Sequence, residues 1–360
     1  MSELERRYRR VLRLLPAAYR GAWEEEMVAT LLARMATDDP EEAEYRDCCG
    51  RPPRSEVASI VGLAVRLRLG GMDAPPRSRL WGQAVRLAAV VALLAFAVPA
   101  ARGGWQLLWH AGWLPWPALP ADVMDLTHPW AGWQVAGTVA WLPWVFAYLA
   151  LVAGRRRWAG ALAGLGLLMP FALDLLLAVA TPDPFPPTSM PYTWLMAIVA
   201  TGVVVLALVA GFHRDAPPLR PGPWLLALAA GVAADTAVTF LALGRQVVHH
   251  HALDLPGMWS IALVVVGGAH LAASGRRRPA RAPEWALALA LLAATLLVLR
   301  VVSLVEYTLT AGAAFEPGLA VLHSAQAVAV LAVGLPLAVR AARSVGAAPR
   351  VPPAAAAPTP

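Results

Sequence analysis

The chain has 360 residues, 58% of them hydrophobic and 15% charged, with a mean hydropathy of +0.56. That balance lies far from the average of soluble domains and excludes an ordinary water-soluble fold. The net charge of +7 rests on 30 basic residues, all of them arginine; most stand in short loops beside apolar runs, where they orient a membrane protein rather than grip phosphate, so no nucleic-acid partner is expected.

Charge is unevenly spread. Residues 1–83 carry 14 arginines and 13 acidic residues, 27 of the 53 charges in the chain, while the other 277 residues carry 26. The sequence therefore divides into a cytosolic head (1–82), a membrane body (83–340) and a disordered Ala/Pro-rich tail (341–360).

In the head, Leu4, Tyr8, Val11, Leu12 and Leu15 recur at helical spacing among five arginines. Pro16 ends that helix or opens the next, in which Tyr19, Trp23, Met27, Leu31, Leu32 and Met35 form a second stripe beside Glu24, Glu25 and Glu26. An acidic, proline-containing linker (37–54) follows. Ser55 suits the N-cap of a third helix, whose inner face is Val57, Ile60, Val61, Ala64 and Leu67 and whose stop is Gly70-Gly71. Two arrangements satisfy this pattern: a three-helix bundle, favoured because aromatic stripes on successive helices meet each other, or a first helix held by its arginines on anionic lipid. Cys48 and Cys49 are adjacent, which disfavours a disulfide, and two thiols do not make a zinc site. The charged amphipathic start is not of the signal-peptide type.

The run LERRYRRVLRLLPAAYRGAWEEEMVATLLARM, followed by SEVASIVGLAVRLRLGG and a basic juxtamembrane segment, resembles the N-terminus of a group of uncharacterised polytopic membrane proteins of high-GC Gram-positive bacteria. That module is similar to the HAAS-type helical signalling domain; the matching pieces are LLP-x-x-Y-R at 14–20, the acidic cluster 24–26 and the EVA-led helix at 56–58. The resemblance covers about the first 80 residues. It implies a regulatory protein whose head binds a cytosolic partner, and it brings no catalytic residues with it.

The body begins with QAVRLAAVVALLAFAVPAA (83–101). About 20 apolar residues cross a ~30 Å hydrocarbon core, and that ruler gives eight spans at roughly 84–101, 132–153, 158–181, 192–212, 224–244, 257–274, 285–306 and 319–339. With the head in the cytosol, thirteen arginines of the body and tail fall on the inner side, against Arg102 and Arg245 outside and Arg300 within a span, so both termini are cytoplasmic in the cell membrane. The tryptophan-rich first outer loop (102–130) is expected to lie at the interface as a short helix; an aromatic site for an external ligand is the alternative. GRRR followed by an apolar run from Trp occurs at 154–158 and again at 275–285, a faint echo of a four-plus-four duplication.

Ionisable residues inside lipid are costly and must face the bundle interior or a partner. The candidates are Asp174, Asp235, His270, Arg300 and Glu306, with His323 near an outer end. Asp174 and Arg300 are at matched depth, counted from Trp158 and Trp285, and form the expected ion pair, either a structural tie or part of a proton or substrate relay with Asp235. His249, His250, His251 and Asp254 with Asp122, Asp125 and His128 allow an outer metal site, though solvated loop residues explain them as well, and no metal is expected. Without lysine there is no phosphate-binding P-loop, and neither an HExxH nor a Gly-x-Ser-x-Gly motif occurs; no enzyme and no cofactor are expected. The regulatory reading leads, with a small-solute or proton-coupled transporter as the alternative.

Overall fold

The structure, a computed structural model, describes residues 1–71, 74–114, 131–180, 191–213, 216–242, 255–275, 283–310 and 316–347. Every regular element among them is helical. The chain divides into two compact units, residues 1–83 with two short later segments (213–216 and 345–360), and residues 84–212 with 217–344.

The first unit contains α1 (Glu3–Leu12), α2 (Ala17–Met35), α3 (Pro40–Cys49) and α4 (Arg54–Arg68). Ser2 caps α1, its Oγ accepting the Glu5 N–H at 3.2 Å, and Glu3 and Glu5 complement the positive end of the helix. Leu4, Tyr8 and Leu12 then fall on one buried face while the arginines take the other. Tyr8, Leu12 and Leu15 meet Val28 and Leu31 of α2 and Ile60, Ala64 and Leu67 of α4 in one core. At the end of α4, Gly70 takes φ +87°, a conformation that a Cβ would disfavour, and the Gly71 N–H returns to the Arg66 carbonyl at 2.9 Å.

Two expectations are corrected here. The head has four helices rather than three, because the supposed linker forms α3. Asp39 accepts the Glu41 N–H at 3.0 Å, Pro40 opens the helix, and Glu41 and Glu42 occupy its first turn, so the local start signals suffice without an apolar stripe. Its far end is held by Arg7, whose Nη1 donates to the Cys49 and Gly50 carbonyls, both at 3.0 Å. The cap of α4 is Pro53, not Ser55.

Most of α5 (Pro76–His110), a helix of 35 residues or about 52 Å at 1.5 Å each, belongs to the second unit. The expected interfacial helix of the first outer loop is therefore, up to His110, a continuation of α5. There follow α6 (Ala131–Trp141), α7 (Pro143–Val152), α8 (Arg156–Ala180), α9 (Pro191–Gly211), α10 (Pro221–Ala242), α11 (Leu255–Gly275), α12 (Pro283–Thr310) and α13 (Pro317–Ala347). The second span was expected to be one helix, but it breaks into α6 and α7 because Pro143 cannot donate to the ladder and starts a new helix instead. Residues 341–347, expected to belong to the tail, are the last part of α13, and residues 348–360 lie outside the described residues.

Counting α6–α7 together, seven helices among the described residues are long and apolar enough to cross a membrane, and α9 adds a shorter apolar stretch, Ile198–Gly211. One core joins α5, α7, α8 and the end of α9 around Trp144, on which Phe96 stacks at 4.8 Å. Gly166 lets α8 approach there: a Cβ would stand 2.8 Å from the Trp144 ring. A second core joins α11, α12 and α13 through Leu263, Leu289, Ala293, Val330 and Leu337. Such close approach at small residues is how helices associate without a hydrophobic drive. Valines and leucines exposed all along α8 to α13, Leu206 and Val265 among them, suit a lipid environment.

Tyr8 yields a test of the head. Burial, and then the Glu56 carboxylate that accepts its hydroxyl at 3.1 Å, push the phenol from 10.0 up to about 12. A folded-state value above the unfolded one means that the stabilisation is complete below pH 10, falls between pH 10 and about 12, and is then spent. Alkaline titration followed by phenolate absorbance should show absorbance near pH 12 that Tyr8→Phe reduces by one tyrosine's share. Ionisation near pH 10 would contradict the buried position.

Candidate functional site

Two sets of residues stand out, and each lies within one unit. The first is polar side chains buried among apolar helices. On α10, Asp235 is 5% exposed, and its Oδ2 accepts from Arg102 Nε of α5 at 2.6 Å. Arg102 Nη1 also donates to Gln106 Oε1, one turn further along α5, at 3.2 Å. An ion pair of this kind is retained only if its geometry repays the desolvation of both charges.

On α12, Arg300 is wholly buried, and Ser303, Glu306 and Tyr307 follow at spacings of three and four, so one helix face is polar. His323 and Gln326, also buried, form a matching pair on α13. The Tyr307 and His323 rings meet edge to face at 6.2 Å, and the Tyr307 hydroxyl accepts the Glu316 N–H at 2.7 Å where the chain turns into α13. Thr201 of α9 and Ser260 of α11 are buried as well, the latter donating to the Pro256 carbonyl at 2.7 Å. The buried polar side chains of α12 and α13, joined where Tyr307 meets His323, form a polar seam on helices that are otherwise aliphatic.

The predicted residues fare unequally. Asp235, Arg300 and Glu306 are buried, and His270 is half-buried on α11. Asp174 is exposed on α8, which packs on α6, α7 and α9, whereas Arg300 sits on α12, which packs on α9 and α11. The buried carboxylate with a guanidinium at 2.6 Å is Asp235, and its partner is the arginine assigned to the outer loop. Arg102 and Gln106 at i and i+4 are the signal for this pair, hidden in the sequence because the unbroken apolar run stops at Ala101.

The second set lies in the head. A cleft of about 190 Å³ is lined by Tyr19, Trp23, Glu26, Arg34 and Glu56, with Tyr8 at its floor. Trp23, expected in the core, is 48% exposed here. Arg34 approaches Glu56 at 3.4 Å, and Arg9 grips Glu25 with two bonds of 2.6 and 2.8 Å. Cys48 and Cys49 are exposed thiols with Sγ atoms 3.0 Å apart; contact with the Cys49 thiol and burial raise the Cys48 pKa. Among the described residues, no group of three or more His, Cys, Asp or Glu is gathered as for a metal ion. Residues 249–251 and 254, and 122, 125 and 128, lie outside the described residues.

Neither a protein-family model, a curated protein nor a solved structure matches this chain.

Removing one partner of a buried pair strands the other. Arg102→Ala should lower stability by about 3–5 kcal/mol, and Arg102→Leu with Asp235→Leu should recover most of it. Thermal unfolding of the purified full chain checks this; a double variant as unstable as the sum of its parts would show that the two charges do not act together.

Proposed function

We propose that this protein is a regulatory or sensory protein of the cell membrane, with eight spans, both termini in the cytosol and the head as a module for a cytosolic partner. The reading counts α9 as a span on the strength of its 21-residue apolar helix. It places the head inside because arginines crowd the loops on that side. The observation that carries it is the cleft of Tyr19, Trp23, Glu26, Arg34 and Glu56 on a head with its own core. Exposed aromatic residues beside charges are the composition of protein-binding surfaces. The likeness of residues 14–20, 24–26 and 56–58 to the HAAS-type module points the same way.

A second reading, a small-solute or proton-coupled transporter, draws on the buried Arg102–Asp235 pair and the polar seam of α12 and α13. The two differ in which half of the chain matters.

A photo-crosslinking amino acid at Trp23, in the full chain in native membranes, tests the first. The expected result is a discrete adduct with a cytosolic protein that Glu26→Arg abolishes and Asp235→Asn spares. Adducts with lipid alone, or none, would contradict partner binding; loss of solute uptake on Asp235→Asn with residues 1–82 dispensable would establish the transporter instead.

A further inference from the structure

Within the second unit, a cavity of about 360 Å³ lies between α5, α9, α11 and α12. Its wall is aliphatic and aromatic, and the Thr295 hydroxyl on it is already used, donating to the Leu291 carbonyl at 3.1 Å. A space lined this way does not hold water, since a buried water needs two or more polar partners. Left empty, it would forfeit the dispersion contacts of its whole lining.

Shape narrows the choice of occupant. Along α12 the lining runs from Trp285 to Leu299, about 21 Å at 1.5 Å per residue, or roughly two thirds of a ~30 Å hydrocarbon core. Along α11 it runs from Pro256 to Val266, about 15 Å. The space is therefore extended along the helices. It also has a side opening, because Val266, which lines it, is 51% exposed next to the still more exposed Val265. Near one end, in the first turns of α11, the Trp259 indole N–H is buried without an acceptor among the described residues. Indoles prefer the level at which lipid ester carbonyls lie.

We propose that this cavity is a lipid site, which takes one acyl chain of a bilayer glycerophospholipid through the opening at Val266, with a lipid ester oxygen accepting the Trp259 N–H. The proposal goes beyond the regulatory reading and needs only that these helices stand in a bilayer. A bilayer offers acyl chains at a concentration that no other apolar ligand approaches, and a linear chain fits a space longer than it is wide.

The test reconstitutes the full chain in vesicles containing phosphatidylglycerol with a diazirine on its acyl chain. After illumination, adducts should concentrate on residues 256–266 and 285–299. Ala262→Phe, which fills the cavity from α11, should reduce them about tenfold, since losing about two methylenes of contact already costs that much binding. Should that variant fail to insert, the milder Ala200→Val, on α9, should still lower the labelling. Three results would overturn the proposal: adducts spread over outward-facing residues such as Val203 and Leu206 with none on the lining; labelling unchanged in variants that insert; or, with a photoprobe at Val266, cross-linked dimers in place of lipid adducts, which would make a second copy the occupant.

Discussion

Inside hydrocarbon, a backbone N–H or carbonyl has no water to turn to, so each must be satisfied within its own helix. That constraint explains why the second unit is built of long helices and why its prolines sit where they do. Pro143 opens a helix, where a missing donor costs nothing, and so divides α6 from α7. Pro99, Pro170 and Pro336 stay inside α5, α8 and α13, which membrane helices tolerate. With backbone polarity confined, helices attract one another through fit. Gly231 against Val98 and Gly267 against Val333, where a Cβ would stand 2.6 Å from the neighbouring valine, show how close this fit is, with Gly166 against Trp144 and Gly334 against Ala293 nearly as close.

The same constraint governs the side chains. Arg102 and Asp235 are kept out of lipid by each other, and the polar face of α12 is turned inward with that of α13. The head follows the opposite logic. Its many Arg–Glu contacts, such as Arg9 with Glu5 and Glu25, lie in water, where each is worth little, and its order depends on the core of Tyr8, Leu12, Leu31, Ile60 and their neighbours. What the charges decide in the head is surface chemistry, including the aromatic and acidic cleft.

Much of this was legible in the sequence, for identifiable reasons. Unbroken apolar runs reveal spans because lipid demands them, and Leu4, Tyr8 and Leu12 reveal α1 because water demands a one-sided helix. Helix α3 was not legible by periodicity, as PEEAEYRDCC carries no apolar stripe; Asp39-Pro40 and the two glutamates after it mark its start. The C-terminal end of α5 was obscured by Arg102, which reads as a loop residue until its partner on α10 is known. Pairings such as Arg102 with Asp235 depend on rotation of one helix against another, and counting residues gives depth alone. The cavity walled by four helices is likewise a property of packing, not of any one segment.

The layout as a whole is tested most directly by labelling intact cells with a membrane-impermeant maleimide. Cys48 and Cys49 are exposed on the head and serve as natural reporters of its side. Trp113→Cys, at a position 76% exposed just beyond α5, reports on the other. The account predicts that the introduced thiol reacts in intact cells, while the native pair reacts only after the membrane is opened. Reaction of Cys48 and Cys49 from outside, or protection of residue 113, would contradict it.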